Sequence, residues 1–323
     1  MEQLNLQAIR SRVITDSGSN RHIFFGVDSN FIFHALITVM SIIEHADHSV
    51  YHFHIISSEF DEGDAAKFSE VLAGRKHGLT VHHAGDDMFS SLPTTALFTR
   101  ATYYRLLAPQ LVPYADHVLY LDADMVCIKS LDPLWLLAER DPNVVAFVVG
   151  EIENLQKALA ENVGLKKTDY FNAGMMLINV QKWKQTGISE KALQALTNSE
   201  KPLQYLDQDA LNIVLEGNVC YVDRRFNHIE MLAHNAHSYS KDVPANTCVI
   251  HYAGADKPWQ QWNQQKVCQY YQKIYRHSPV ASRPFDLPRN HYQAKKMYKT
   301  MFRTHQLLRG VYWRLRYFQM RYF

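Results

Sequence analysis

The apolar run "HIFFGV" at residues 22–27 ends on an acid, Asp28, and apolar residues then recur at helical spacing from Phe33 to Glu44, which predicts a strand followed by a helix. The alternation repeats. "YHFHIIS" (51–57) reads as a strand, "DEGDAAKFSEVLAGRK" (61–76) as a helix and "LTVHHA" (79–84) as a strand, and the helix-like "ATYYRLLAPQLV" leads into "HVLYLD". The runs "VVAFVVG", "AGMMLINV", "VCYVD" and "CVIHY" are short enough to be further strands, interleaved with helices over 188–198 and 207–216. Strands alternating with helices predict an α/β body whose mostly parallel sheet is covered on both faces. No fixed-period repeat and no Gly/Ser linker divides it, and the first boundary signal is "SPVASRPFDLPRN" (278–290), where three prolines cluster.

Composition narrows the class. A chain of 323 residues with 47% hydrophobic content can bury one sizeable core, or one core and a small appendage. The four cysteines, Cys127, Cys220, Cys248 and Cys268, are far apart and form no C-x-x-C pair, which points away from a disulfide framework and towards a reducing cytoplasm. The N-terminal "MEQLNLQAIRSRVITDSGSN" lacks the apolar run of a secretory signal. The most apolar segment, residues 31–43, is interrupted by His34, Thr38 and Ser41 and suits a core helix better than a membrane span. The net charge of +2 conceals an asymmetry. Nine of the 34 Lys and Arg and none of the 32 Asp and Glu lie in 289–323, leaving residues 1–288 with 25 basic against 32 acidic groups, a balance of −7.

The chemistry concentrates at strand ends, where open parallel sheets bind ligands. In "VLYLDADMV" two carboxylates, Asp122 and Asp124, follow a buried strand with only Ala123 between them. In an extended segment, side chains at i and i+2 share a face, so both acids can approach one cation. A hard divalent ion takes one or two protein carboxylates when phosphate oxygens and water complete its shell, so a metal-bound diphosphate is the expected ligand. The plainer alternative is an Asx turn with Asp124 solvated. "LDQDALN" can be a simple helix start with Asp207 as its N-cap, and "FNAGMMLIN" places Asn172, Ala173 and Gly174 in a small-residue turn before a strand.

Four blocks in order, "FFGVDSNF", "ATYYRLLAPQL…HVLYLDADMV", "YFNAGMMLINVQKW", and "YLDQDALN" with "HYAGADKPW", make the chain from about Ile23 to about Trp262 similar to family 8 of the glycosyltransferases, the group with the lipopolysaccharide core galactosyl- and glucosyltransferases. The resemblance implies a single Rossmann-like nucleotide-sugar-binding domain of GT-A type over 23–280, an N-terminal extension over 1–22 and a basic, aromatic helical C-terminal region over 281–323. It implies a UDP-hexose donor, a lipopolysaccharide core acceptor, transfer with retention, and Mn²⁺ or Mg²⁺ held by Asp122, Asp124 and His251. Gly26, Val27, Asp28 and Asn30 would meet the uracil or ribose, and Phe31, where relatives often carry Tyr, would stack on the base. Arg105, Ala123 and Ala173 would lie beside the donor, and Gly254 and Lys257 would take its phosphates. Asn172, Asp207 and Gln208 would face the donor sugar, with the amide Gln208 stabilising an oxocarbenium-like state rather than bonding to it.

Two other functions compete. A sugar-1-phosphate nucleotidyltransferase would share the sheet and the metal, but should carry a Gly-rich triphosphate loop, which "FFGVDSNF" is not. A non-catalytic membrane-surface module is disfavoured by the intact set Asp122, Asp124, His251 and Lys257. Within 289–323, the nine basic residues alternate with nine aromatics, Tyr292, Tyr298, Phe302, Tyr312, Trp313, Tyr317, Phe318, Tyr322 and Phe323. This segment predicts a cytoplasmic protein attached peripherally to the anionic inner membrane surface, and no nucleic-acid partner, since the acidic body would repel one.

Overall fold

The computed structural model describes residues 4–85, 87–199 and 202–322; the first three residues of the expected N-terminal extension and Phe323 of the aromatic series lie outside them. The chain falls into two compact units. The first runs to Ile229 and includes Asn246–His251, and the second comprises Glu230–Ala245 and the chain from Tyr252 onward.

In the first unit the predicted alternation appears as β1 (Arg10–Thr15), β2 (His22–Gly26), α1 (Ile32–Glu44), β3 (His52–Ser57), α2 (Glu62–Leu72) and β4 (Gly78–His83). A 3-10 segment (Arg100–Leu106) and the single turn α3 (Ala108–Leu111) replace the expected helix and lead to β5 (His117–Leu121) and β6 (Met125–Cys127). Then come α4 (Asp132–Arg140), β7 (Ala146–Gly150), α5 (Glu153–Val163), β8 (Phe171–Asn179), α6 (Val180–Gln185), α7 (Ile188–Asn198), α8 (Asp207–Val214), β9 (Val219–Tyr221), β10 (His228–Ile229) and β11 (Val249–His251). The main sheet has the order β1-β4-β3-β2-β5-β8-β7-β9, and a small sheet has the order β10-β11-β6. Strands β4, β3, β2 and β5 are parallel. β8 is antiparallel to both β5 and β7, so the sheet is mixed with a large parallel portion. β1, expected as part of an extension, is instead an edge strand antiparallel to β4. Its exposed, charged sequence "RSRVIT" gives no burial signal.

Both faces of the sheet are covered, as near-continuous apolar strands require. One face carries Phe24, Ile56, Val118, Tyr120, Val148, Met176 and Ile178 into one hydrophobic core. Towards β1 the same face becomes polar: His22 Nδ1 lies 2.9 Å from His54 Nε2, His54 Nδ1 lies 2.9 Å from His82 Nε2, and His82 Nδ1 lies 2.7 Å from Ser11 Oγ. His52 joins through Thr80 at 2.8 Å and Ser17 at 3.1 Å. Gly78 makes this possible, because a Cβ there would lie 2.6 Å from the His52 ring.

The second unit holds α9 (Ala236–Ser240), α10 (Cys268–Arg276), α11 (His291–Arg303) and α12 (Leu307–Tyr322). α11 and α12 form a helical hairpin whose core is Trp262, Ala294, Met297, Met301, Trp313 and Tyr317. Gly310 permits the close approach, since a Cβ there would lie 2.6 Å from the Phe302 ring. The C-terminal region is helical, as expected, and it contributes to a packed core. Among the described residues no helix is long and apolar enough to cross a membrane.

Candidate active site

Asp122 and Asp124 sit in the tight turn between β5 and β6, not on the extended segment the sequence predicted. The turn brings them together all the same. The small sheet delivers the third member, because β11 runs antiparallel to β6 with His251 opposite Met125. One ligand atom from each of Asp122, Asp124 and His251 lies within 4.8 Å of the others. His251 Nε2 is 3.3 Å from Asp124 Oδ1 and 3.9 Å from Asp122 Oδ2. The polar positions of α1 hold the turn: Thr38 Oγ1 donates within 3.1 Å of Ala123 O and 2.7 Å of Met125 O, and Ser41 Oγ accepts from the Cys127 N–H at 2.9 Å.

A backbone amide fixes the tautomer of His251. The Gly174 N–H donates to Asn172 Oδ1 at 3.0 Å, so this atom is an oxygen and must accept from Asn227 Nδ2, also at 3.0 Å. Asn227 therefore turns Oδ1 towards His251 Nδ1, 3.0 Å away, and that ring nitrogen carries the proton. Nε2 faces the two carboxylates, 3.3 and 3.9 Å away, and is the ring nitrogen left to ligate a metal. Asn172 completes the chain by donating from Nδ2 to Glu151 Oε2 at 2.9 Å. It lies inside β8, not in a turn before it. The extra length is taken up by a bulge, in which Val148 pairs with Met176 while Val149 pairs with Asn172.

Arg105 organises the other side. It is buried, donates to Ala173 O at 2.6 Å and Asp122 Oδ1 at 3.0 Å, and its Nε lies 2.7 Å from Asp207 Oδ2. Burial alone would lower the guanidinium pKa, but Asp207 and Asp122, with smaller contributions from Tyr120 and Asp124, raise it on balance, so the cation is fixed. Burial pushes the Asp207 carboxyl up to about 6 against the opposing pull of Arg105 and Thr102. Asp207 is the first residue of α8 and not its N-cap, which is Leu206 at φ 46. Its carboxylate accepts from Thr102 Oγ1 at 2.6 Å instead of capping the helix.

Gln208, half-buried, accepts the Ala173 N–H at 3.0 Å through Oε1, which leaves Nε2 3.4 Å from both Glu151 Oε2 and the Tyr170 hydroxyl. Tyr170 donates to the buried Asp209, whose carboxyl is pushed up by burial against this bond. Glu151, Asp209 and Asn227 were not anticipated from sequence. Glu151 had the available signal, an acid ending an apolar strand, as Asp28 and Asp122 do. Asn227 had none.

At the end of β2, Asp28 accepts from the Asn30 N–H at 3.0 Å and from Thr99 Oγ1 at 3.0 Å, and Phe31 is half-buried with its ring 5.5 Å from His34. Gly26 packs under the 3-10 segment, where a Cβ would lie 2.7 Å from Tyr104 Cβ. Val27 is buried, its N–H donating to Ile56 O at 3.0 Å. Gly254, at φ 79, and Lys257, whose Nζ donates to Tyr252 O at 2.7 Å, belong to the second unit.

Two carboxylates and an imidazole form a donor set suited to Mn²⁺, and their oxygens to Mg²⁺. The backbone keeps space for such an ion. A Cβ on Gly174 would lie 2.6 Å from His251 Cε1 and 2.7 Å from Asp122 Oδ2. The residues present fit a divalent cation.

Residues 22–263 match the family description "Glycosyl transferase family 8", and 267–321 match "Glycosyl transferase family 8 C-terminal". The chain is 30% identical over 301 residues to a lipopolysaccharide 1,2-glucosyltransferase of Escherichia coli (strain K12), covering 90% of this chain and 88% of the relative. It is 32% identical over 305 residues to a lipopolysaccharide 1,3-galactosyltransferase of Salmonella typhimurium, covering 92% and 90%. The crystal structure of the galactosyltransferase LgtC, in complex with donor and acceptor sugar analogs, superposes with a TM-score of 0.69 at 24% identity, covering 83% of this chain and 98% of that one. The likeness extends to the GT-A type α/β fold. By the span of its family match, which takes in the β5–β6 turn, the β8 bulge and the start of α8, this chain belongs to glycosyl transferase family 8.

Proposed function

We propose that this glycosyltransferase moves glucose or galactose from a UDP-hexose to a hydroxyl of the lipopolysaccharide core, with the anomeric configuration retained. The observation that carries the reading is the grouping of Asp122, Asp124 and His251 beside the β8 bulge that positions Asn172, Ala173 and Gln208. The two relatives named for lipopolysaccharide hexosyl transfer, matched over about nine-tenths of their lengths, support the acceptor class.

Asp122, Asp124 and His251 would hold Mn²⁺ or Mg²⁺, which, when bound, supplies positive charge to the diphosphate leaving group. Asn227 holds the proton of His251 on Nδ1 and orients the ring, so that Nε2 is the nitrogen offered to the metal. Arg105 ties Asp122 to Asp207, so the carboxylate does not have to be immobilised during the reaction. Gly26, Val27, Asp28, Asn30 and Phe31 would receive the nucleotide, and Gly254 and Lys257 its phosphates. Gln208, with its oxygen committed to the Ala173 N–H, is a poor nucleophile. It would orient the sugar and stabilise developing charge while the acceptor attacks on the face the diphosphate leaves. The C-terminal region is proposed to rest on the anionic inner face of the cytoplasmic membrane, where a lipid-anchored acceptor would be found.

The test is a panel of UDP-sugars incubated with truncated lipopolysaccharide cores and Mn²⁺, with products read by mass spectrometry and linkage analysis. A single hexose added with retention is expected. A nucleotide-sugar formed from UTP and sugar 1-phosphate, with no transfer, would replace this reading with the nucleotidyltransferase one.

A further inference from the structure

The second unit contains a groove of about 760 Å³ that belongs to none of the machinery described above. Six of its twelve lining residues are glutamines, one is asparagine and three are Lys or Arg, while Phe285 and Met301 supply its apolar wall. No carboxylate lines it among the described residues. Lys273 and Arg276 project from the last turn of α10, where cations complement the helix dipole. That role does not extend to Arg309, which reaches the same groove from α12.

The amides are held in place in advance. Gln261, Gln265 and Gln272 each donate from Nε2 to a backbone carbonyl, those of Phe285, Ala233 and Pro258, at 3.1, 2.9 and 3.1 Å. Side chains already fixed this way lose little freedom when a ligand arrives. Asn263, 1% exposed, braces the groove from behind, its Nδ2 donating to Lys257 O and Gln260 Oε1 at 2.9 Å each.

We propose that this groove binds a phosphorylated oligosaccharide, whose hydroxyls pair with the glutamine amides and whose phosphate meets Lys273, Arg276 and Arg309. A phospholipid headgroup would share the phosphate, but its few hydroxyls would leave most of the amides without partners. Phe285, half-buried at the rim, offers a ring face to the C–H side of a sugar. The choice of core oligosaccharide rests on the acceptor class proposed above, whereas binding in the groove is read directly and requires no transfer.

The experiment titrates the full chain by calorimetry with core oligosaccharide released from lipopolysaccharide by deacylation. The same oligosaccharide after phosphatase treatment, inorganic phosphate, and phosphatidylglycerol vesicles serve as the other arms. The phosphorylated oligosaccharide should bind most tightly, with an affinity that falls as salt is raised. The Lys273→Gln/Arg276→Gln double variant should weaken it by roughly tenfold at unchanged melting temperature, and Gln272→Ala should weaken it without changing the salt dependence. Equal binding before and after phosphatase treatment, full binding by the double variant, or stronger binding of inorganic phosphate or vesicles than of the oligosaccharide would each overturn the proposal.

Discussion

At the scale of residues, the site depends on two positions that carry no charge. Asn227 is fully buried and links the imidazole of His251 to Asn172, so its loss should be felt as metal affinity and not as missing donor contacts. Asn227→Leu should raise the Mn²⁺ concentration needed for half-maximal transfer by about 10–100-fold, in line with other partners of metal-bound histidines, with turnover recovering at saturating Mn²⁺. Turnover that stays low at every Mn²⁺ concentration would show that Asn227 does not act through the metal. Gly174 is the complementary case. Any side chain there enters the space between Asp122, Asn172 and His251, so Gly174→Ala should abolish metal-dependent UDP binding while costing about 1–3 kcal/mol of stability. Calorimetry and thermal melting on the same sample separate the two effects. Asp122 and Asp124 were legible in the sequence as two acids closing an apolar run, and His251 only through the resemblance carried by "HYAGADKPW". Glu151 had a local signal, an acid ending an apolar run, whereas Asn227 had none, because the pairing of β10 with β11 sets it beside His251 and no local spacing encodes that pairing.

At the scale of elements, the apolar runs revealed β2, β3, β5, β7 and β8 because burial on two faces leaves an uninterrupted signal. β1 was missed because an edge strand is polar by necessity. The histidines of β2, β3 and β4 were legible only as letters; parallel register turned them into a ladder. Burial lowers the pKa of His22 and His82 to about 4, with His52 adding a smaller push in each case, and lowers those of His54 and His52 as well, although Asp16 partly opposes this at His52. A histidine whose pKa is lower in the fold than in the unfolded chain favours the fold fully above the unfolded value near 6.5, and the contribution is lost as the pH falls towards the folded value. His22 and His82 are each worth on the order of 3 kcal/mol at the acid end. The melting temperature should therefore hold above neutrality and fall steeply from about pH 6.5 towards pH 4. His82→Gln, which can still hydrogen-bond to Ser11, should make the fall shallower by about one proton. A melting temperature that does not change across this window would exclude the ladder as the source of acid sensitivity.

At the scale of the whole molecule, the charge asymmetry and the aromatic density of 289–323 were visible in the sequence, but the direction in which each ring points was not. At 3.6 residues per turn, α12 turns Gly310, Trp313 and Tyr317 inward, and Trp313 and Tyr317 join Trp262, Ala294, Met297 and Met301. The opposite stripe holds Leu308, Val311, Leu315 and Tyr322, with exposures of 89, 51, 65 and 63%. Arg309 and Arg316 flank one side of this stripe, and Arg314 and Arg321 the other. An apolar stripe bordered by two rows of arginine is the pattern of a helix lying in a membrane interface. The packing also decides how the proposed membrane contact must be tested. Deleting the hairpin would strip the cover from Trp262, so a loss of vesicle binding could reflect only damage to the second unit. Substitutions confined to the outward stripe avoid this. Leu308→Ser/Val311→Ser/Leu315→Ser should release the protein from anionic vesicles in co-sedimentation while leaving the melting temperature near that of the parent. Arg314→Glu/Arg316→Glu should do the same, with a loss on the order of 1 kcal/mol for each basic group removed from the surface. Both variants sedimenting with phosphatidylglycerol vesicles at low salt as well as the parent does would remove α12 as the anchoring element.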